Sequence, residues 1–242
     1  MKKDDIYGQP LQQVADFQFD ENVVRVFPDM INRSVPGYST LINLIGIIGR
    51  EYAQDNTRIY DLGCSLGAAS LSLGHYIEAN DCELIAVDNS AAMIEQASEL
   101  LRESTPVLPM ELVCADIRDI KIENASVVIL NFTLQFLSPD DRARVIETIY
   151  QGLVPGGVLL LSEKICFDAE QKNEQFIELH HQFKRANGYS DLEISQKRTA
   201  LENVLIPETI DAHQTRLSSA GFQSVDVWFQ CLNFVSLLAH KS

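Results

Sequence analysis

Positive charge is scarce in this chain, where 19 Lys and Arg stand against 34 Asp and Glu for a formal net charge of -15 over 242 residues. Such a chain repels phosphate backbones and carries no basic stripe, so direct nucleic-acid binding is not expected and a small-molecule substrate is. Five cysteines, at 64, 82, 114, 166 and 231, include no C-x-x-C pair. An odd, scattered set excludes a disulfide framework and a cysteine zinc site, and predicts reduced, mostly buried thiols. The adjacent His180 and His181 lack a ligand set at metal spacing, so one buried and one exposed histidine is the expectation, without a metal. The strongest early apolar run, residues 41–48, is far too short for a membrane span, and MKKDDIYGQP lacks the apolar core of a signal peptide. A soluble cytoplasmic protein is expected. No Gly/Ser- or Pro-rich linker and no repeat divides a chain that is 46% hydrophobic, which predicts a single domain over 1–242.

What is present is an alternation of apolar runs and helix-sized segments. Residues 58–62, 83–87, 112–115, 127–130 and 158–161 read as buried strands, and 224–230 and 233–239 as a terminal antiparallel hairpin after a helix at 208–220. Ser90 is placed to cap the helix AAMIEQASELL, Pro139 to open DDRARVIETIY, and the VPGG at 154–157 to turn into the fifth strand. This order predicts an α/β fold, a doubly wound and mainly parallel sheet.

In such sheets ligands bind beyond the carboxyl ends of the strands. The first strand runs into IYDLGCSLGAAS, with Asp61, Gly63, Ser65 and Gly67 where strand turns to helix, a turn expected to aim backbone N–H groups at a ligand. Asp88 and Asn89 follow the second strand, Asp116 and Ile117 the third, and Asn131 the fourth. A nicotinamide fingerprint from Gly63 would need glycine at 65, where serine stands. The acid-x-G-x-G-x-G loop of S-adenosylmethionine enzymes matches at Asp61, Gly63 and Gly67, and departs at Ser65. Asp88 is then placed to accept from both ribose hydroxyls, Asp116 from the adenine amino group, and Asp61 to attract the methionine ammonium through water. Taken singly, each aspartate also reads as a helix cap or turn residue.

The stretches VFPDMINRSVPGYS, YDLGCSLGAAS, AVDNSAAMI, DIRDIKIENASVVILNFTLQFL, YQGLVPGG, HHQFKRANGYSDLEISQKR and WFQCLNF resemble the carboxy-S-adenosyl-L-methionine synthases, a family within the class I S-adenosylmethionine methyltransferase-like Rossmann fold of seven strands. The resemblance implies that S-adenosylmethionine is converted to carboxy-S-adenosylmethionine with prephenate as carboxyl donor, releasing phenylpyruvate. The product then serves a separate tRNA carboxymethyltransferase in wobble-uridine modification. It also implies a homodimer, and ligand contacts at Tyr38, Gly63, Cys64, Ser65, Asp88, Asn89, Asp116, Ile117, Asn131 and Arg198. Arg198 would clamp the new carboxylate, since its planar fork suits that group. Around this core the resemblance places a helical flap at about residues 20–55 and a helical lid at about 165–205.

The segment from Lys164 to Arg198, the expected cover over an anion, holds Lys164, Lys172, Lys184, Arg185, Lys197 and Arg198. For Lys172 and Lys184 a solvated helix face is expected. Phe132 and Phe136 read as core, and Trp228 as near the hairpin or an interface. The rival readings are an ordinary methyltransferase acting on a small acid and a nicotinamide oxidoreductase.

Overall fold

The computed structural model describes residues 2–104 and 108–242. Two helices precede the sheet. Helix α1 (Glu21–Ser34) starts where the Asp20 carboxylate accepts from the Asn22 and Val23 N–H groups, and α2 (Tyr38–Tyr52) follows a left-handed Gly37.

Seven strands then form one sheet in the order β3-β2-β1-β4-β5-β7-β6. They are β1 (Arg58–Leu62), β2 (Glu83–Asp88), β3 (Met110–Cys114), β4 (Ala125–Asn131), β5 (Leu153–Lys164), β6 (Ser224–Cys231) and β7 (Phe234–His240). The pairs from β3 through β5 are parallel, whereas β7 runs antiparallel to both β5 and β6. This is the fold class expected, with the hairpin in place. The VPGG sequence differs only in detail, since it pairs within β5 instead of preceding it, and a register shift opposite Ala125–Val127 absorbs it.

Helices α3 (Ala68–Tyr76), α4 (Ala91–Ser104), α5 (Pro139–Gly152) and α8 (Ile210–Ala220) make the crossovers, while α6 (Glu170–Ala186) and α7 (Asp191–Leu201) follow β5. Ser90 caps α4 by accepting from the Met93 N–H, and Ser138 caps α5 with Pro139 in its first turn. Both faces of β4 are buried, because Ala125 to Leu130 have no exposure and pack into separate clusters on the two sides. A parallel central strand covered by helices on both faces therefore needs a continuous apolar sequence.

Two expectations about burial are revised. Cys64 and Cys82 are buried, but Cys114 is exposed and Cys166 and Cys231 are half-buried. His180 is buried and His181 half-buried, not exposed. Among the described residues no helix is long and apolar enough to cross a membrane, and no group of three or more His, Cys, Asp or Glu could hold a metal ion.

Candidate functional site

Beyond the carboxyl ends of the parallel strands lies a cavity of about 560 Å³. Nine of the ten predicted ligand residues line it, from Tyr38 through Asn131, together with Asp61. The tenth, Arg198, does not. It lies on the exposed side of α7, whose buried positions are Ile194, Gln196, Lys197 and Ala200. Successive helical residues point about 100° apart, so burying Lys197 turns Arg198 away from it. Its charge nevertheless reaches the cavity, since it helps depress the Lys164 amine.

The glycine loop is built around two left-handed glycines and a left-handed Ser65 (φ 85° at Gly63, 51° at Ser65, 80° at Gly67). Its first three amides do not face outward as the turn geometry alone predicts. Gly63 and Cys64 both donate to the Val87 carbonyl, at 2.7 and 2.9 Å, and Ser65 donates to the Asp88 carboxylate at 2.9 Å. With the Gly63, Cys64 and Ser65 donors turned to β2, those three amides are not free to cradle a phosphate. The neighbouring side chains are carboxylates, which suit a cation.

Asp61 is the most buried of them. Ser70 Oγ donates to one oxygen at 2.6 Å, while Asp61 Oδ1 is buried without a partner. Burial pushes its carboxyl up to about 6 against the Ser70 hydrogen bonds, with Asp88 adding to the rise. Asn131 Oδ1 is likewise buried and unpartnered. Orphaned acceptors in a cavity wall fit a ligand rich in donors, such as an ammonium and a ribose. Burial also raises Asp88, whose second oxygen accepts from the Ser90 N–H at 2.9 Å.

Asp116, like Asp88, has both oxygens engaged by the protein itself. Arg118 Nε and Nη2 donate to them at 2.9 and 2.7 Å, and hold the carboxyl below its usual range. The Cys64 thiol is pushed up by burial and packs among apolar neighbours, and it is the backbone N–H of this residue that bonds to β2. Tyr38 opens α2, and its hydroxyl is raised by burial and by Asp61.

Several lining residues escaped the sequence reading. Phe132 and Phe136, read as core, line the cavity, as do Phe17, Phe19 and Phe27 from the N-terminal part of the chain. Lys184, expected on a solvated face, is buried in the cavity wall with His180 one helical turn earlier; Lys172 does stay exposed, over the Phe167 ring. Lys164 and Lys197 complete a basic wall. Lys164 was findable, since it stands at the end of the fifth strand just as the aspartates end the first three.

Comparison with known proteins follows the same lines. Residues 59–157 match a methyltransferase domain family. A solved S-adenosyl-L-methionine-dependent methyltransferase from Methanococcus maripaludis, described as putative, superposes with a TM-score of 0.61 at 19% identity, covering 96% of this chain and 98% of that one. A putative O-methyltransferase from Nostoc punctiforme gives 0.65 at 14% identity over 91% and 59% of the two chains. The fold is thus that of the methyltransferase-like α/β class.

Within that class the relatives are specific. The carboxy-S-adenosyl-L-methionine synthase of Geobacter sp. (strain M21) is 60% identical over 99% of both chains, and that of Shewanella halifaxensis 56% identical over 98% of both. The chain belongs to the carboxy-S-adenosyl-L-methionine synthase family.

Proposed function

We propose that this enzyme converts S-adenosylmethionine and prephenate to carboxy-S-adenosylmethionine, phenylpyruvate and water. The observation that carries the reading is one cavity with carboxylates at the β1, β2 and β3 ends and lysines at the β5 end and on α6 and α7. The carboxylates suit a ligand with an ammonium and a ribose, and the lysines suit a carboxylated donor.

The bonds balance without a metal or redox partner. Prephenate loses carbon dioxide and hydroxide as its ring becomes aromatic. Hydroxide takes a proton from the sulfonium methyl group, giving water and an ylide, and the ylide carbon adds to carbon dioxide. A single shared cavity keeps the two short-lived species together. Tyr38, Gly63, Cys64, Ser65, Asp88, Asn89, Asp116, Ile117 and Asn131 hold the sulfonium substrate in this proposal, and Arg198 clamps the new carboxylate. The chain acts as a single domain, 1–242, with α1 and α2 as a flap and α6 and α7 as a lid. It works as a cytoplasmic homodimer, and its product passes to a separate enzyme that modifies the tRNA wobble uridine to 5-oxyacetyluridine. A net charge of -15 suits an enzyme that leaves the RNA to that partner.

Mass spectrometry of the purified protein incubated with S-adenosylmethionine and prephenate tests this. The carboxylated sulfonium and phenylpyruvate in equal amounts are expected. The exposed position of Arg198 favours one second reading, an ordinary methyltransferase acting on a small acid. S-adenosylhomocysteine with a methylated acid would establish it instead.

A further inference from the structure

Three lysines enter the cavity wall, and they are not equivalent. Lys197 Nζ donates to Ser34 Oγ at 3.1 Å and pairs with the buried Asp4 at 3.4 Å, which also accepts from the Tyr189 hydroxyl. It is an anchor for the N-terminal segment. Lys164 and Lys184 have no ion-pair or hydrogen-bond partner for their amines among the described residues. Two lysine side chains thus lie in a cavity wall of a strongly acidic protein without a paired carboxylate among the described residues.

Their surroundings are defined on every side. Lys184 on α6 faces Lys197 on α7, Lys164 on β5 and Asp4, and Lys164 feels Arg198 on α7. Asp4 is already taken by Lys197 and Tyr189. His180, one turn before Lys184, donates from Nε2 to the Ser34 carbonyl at 2.7 Å; burial first, then Lys184 and Lys164, keep it neutral. Beside these groups stands an aromatic wall, with the Phe132 and Phe234 rings 5.8 Å apart and the His180 and Phe234 rings 5.0 Å apart. In the strand order β1-β4-β5, the strand that Lys164 ends lies two strand spacings, about 10 Å, from β1 on the side opposite β2. That is next to the methionine end of the site and away from the adenine end.

We propose that Lys164 and Lys184 form the subsite for the carboxyl donor, taking the two carboxylates of a cyclic dicarboxylate whose ring packs on Phe132 and Phe234. This deepens the proposed function and rests on its choice of prephenate. The ammonium pair supplies charge and the aromatic wall receives a ring that ends as a phenyl group. Burial and the neighbouring lysines push Lys184 down to about 7, and a bound dianion reverses that shift, so binding takes up a proton at pH 8.

The test is calorimetric and needs no turnover. Prephenate is titrated into protein saturated with S-adenosylhomocysteine, in buffers of different ionisation enthalpy. Lys164→Met and Lys184→Met should each weaken prephenate about 10- to 150-fold, as expected for loss of a charge-assisted pair. S-adenosylhomocysteine affinity should stay within three-fold. Proton uptake at pH 8 should vanish in Lys184→Met. Should Lys184→Met not fold, Lys184→Arg must retain prephenate binding without the uptake. Unchanged prephenate affinity in both methionine variants overturns the subsite, and so do equal losses for both ligands. Prephenate binding by a wild type that forms no carboxylated product, weakened in both methionine variants, upholds the subsite and refutes the proposed function; normal product formation by Lys164→Met and Lys184→Met with unaltered prephenate KM does the reverse.

Discussion

The Asp88 carboxylate accepts the Ser65 backbone N–H at 2.9 Å, joining the end of β2 to the middle of the glycine loop. The same carboxylate faces the cavity, so one side chain both shapes the loop and lies open to the ligand. Replacing Asp88 by alanine removes ribose acceptors and should weaken S-adenosylmethionine binding by about 1.5 to 3 kcal/mol. The freed Ser65 and Ser90 amides should lower the melting temperature by only a few degrees. Calorimetry and a thermal melt check both halves; unchanged affinity refutes this placement of the ribose.

Gly63 is held from the other side. A Cβ there would stand 2.8 Å from the Thr133 Cβ and overlap its outer atoms, at a φ of 85°. Gly63→Ala should therefore lose about 1 to 3 kcal/mol of stability, and ligand affinity with it, as strand β1 and the post-β4 turn are pushed apart. Thr133→Ala should relieve part of the loss in the double variant. A melting curve identical to wild type would show that the turn yields freely.

These two contacts show what the sequence could and could not convey. The strands were legible because buried parallel strands need unbroken apolar runs such as SVVIL, and the cavity-lining residues because the fold places them at strand ends. Ser65 fits the loop because serine can take the left-handed conformation that it adopts here. The inward turn of the loop amides was not legible, since it depends on the Val87 carbonyl lying alongside. Lys184 was misread because a lysine on a charged helix looks solvated until the helix is known to cover a cavity. The aromatic wall from Phe17 to Phe27 comes from a segment whose first part has no periodicity, and only tertiary packing brings it over the site.

Asp61 makes ligand binding depend on pH in a defined direction. Its carboxyl is pushed up to about 6 by burial, so the ligand-free protein carries it neutral below that pH. A substrate ammonium favours the carboxylate. Affinity for S-adenosylmethionine should then be flat above pH 7 and fall by up to about tenfold per unit below 6. For the ligand-free fold the sign is opposite: between about pH 4 and 6 the folded state keeps a proton that the unfolded chain has lost, so this group lowers stability as pH rises. Asp61→Asn should flatten both profiles. Calorimetric titrations and melts at pH 5 to 8 measure them, and an unaltered binding profile in Asp61→Asn would assign the dependence elsewhere.

Arg198 offers the sharpest separation of this family from ordinary methyltransferases. A cation beside a sulfonium is unfavourable, so a methyl-transferring site has no use for one there. Here the transferred carbon ends as a carboxylate, and the guanidinium becomes favourable only as that charge develops. On α7 it is exposed and outside the cavity lining, yet its charge is felt at Lys164 in the cavity wall. Arg198→Ala should cut affinity for carboxy-S-adenosylmethionine by roughly 10- to 150-fold and leave S-adenosylmethionine within a few-fold. Arg198→Lys should recover part of the loss, because a point charge cannot reproduce the bidentate fork. Titrating wild type and both variants with the two ligands decides the matter. Equal losses for both would make Arg198 a support of the helix pair, and no loss for either would leave the new carboxylate to the cavity lysines.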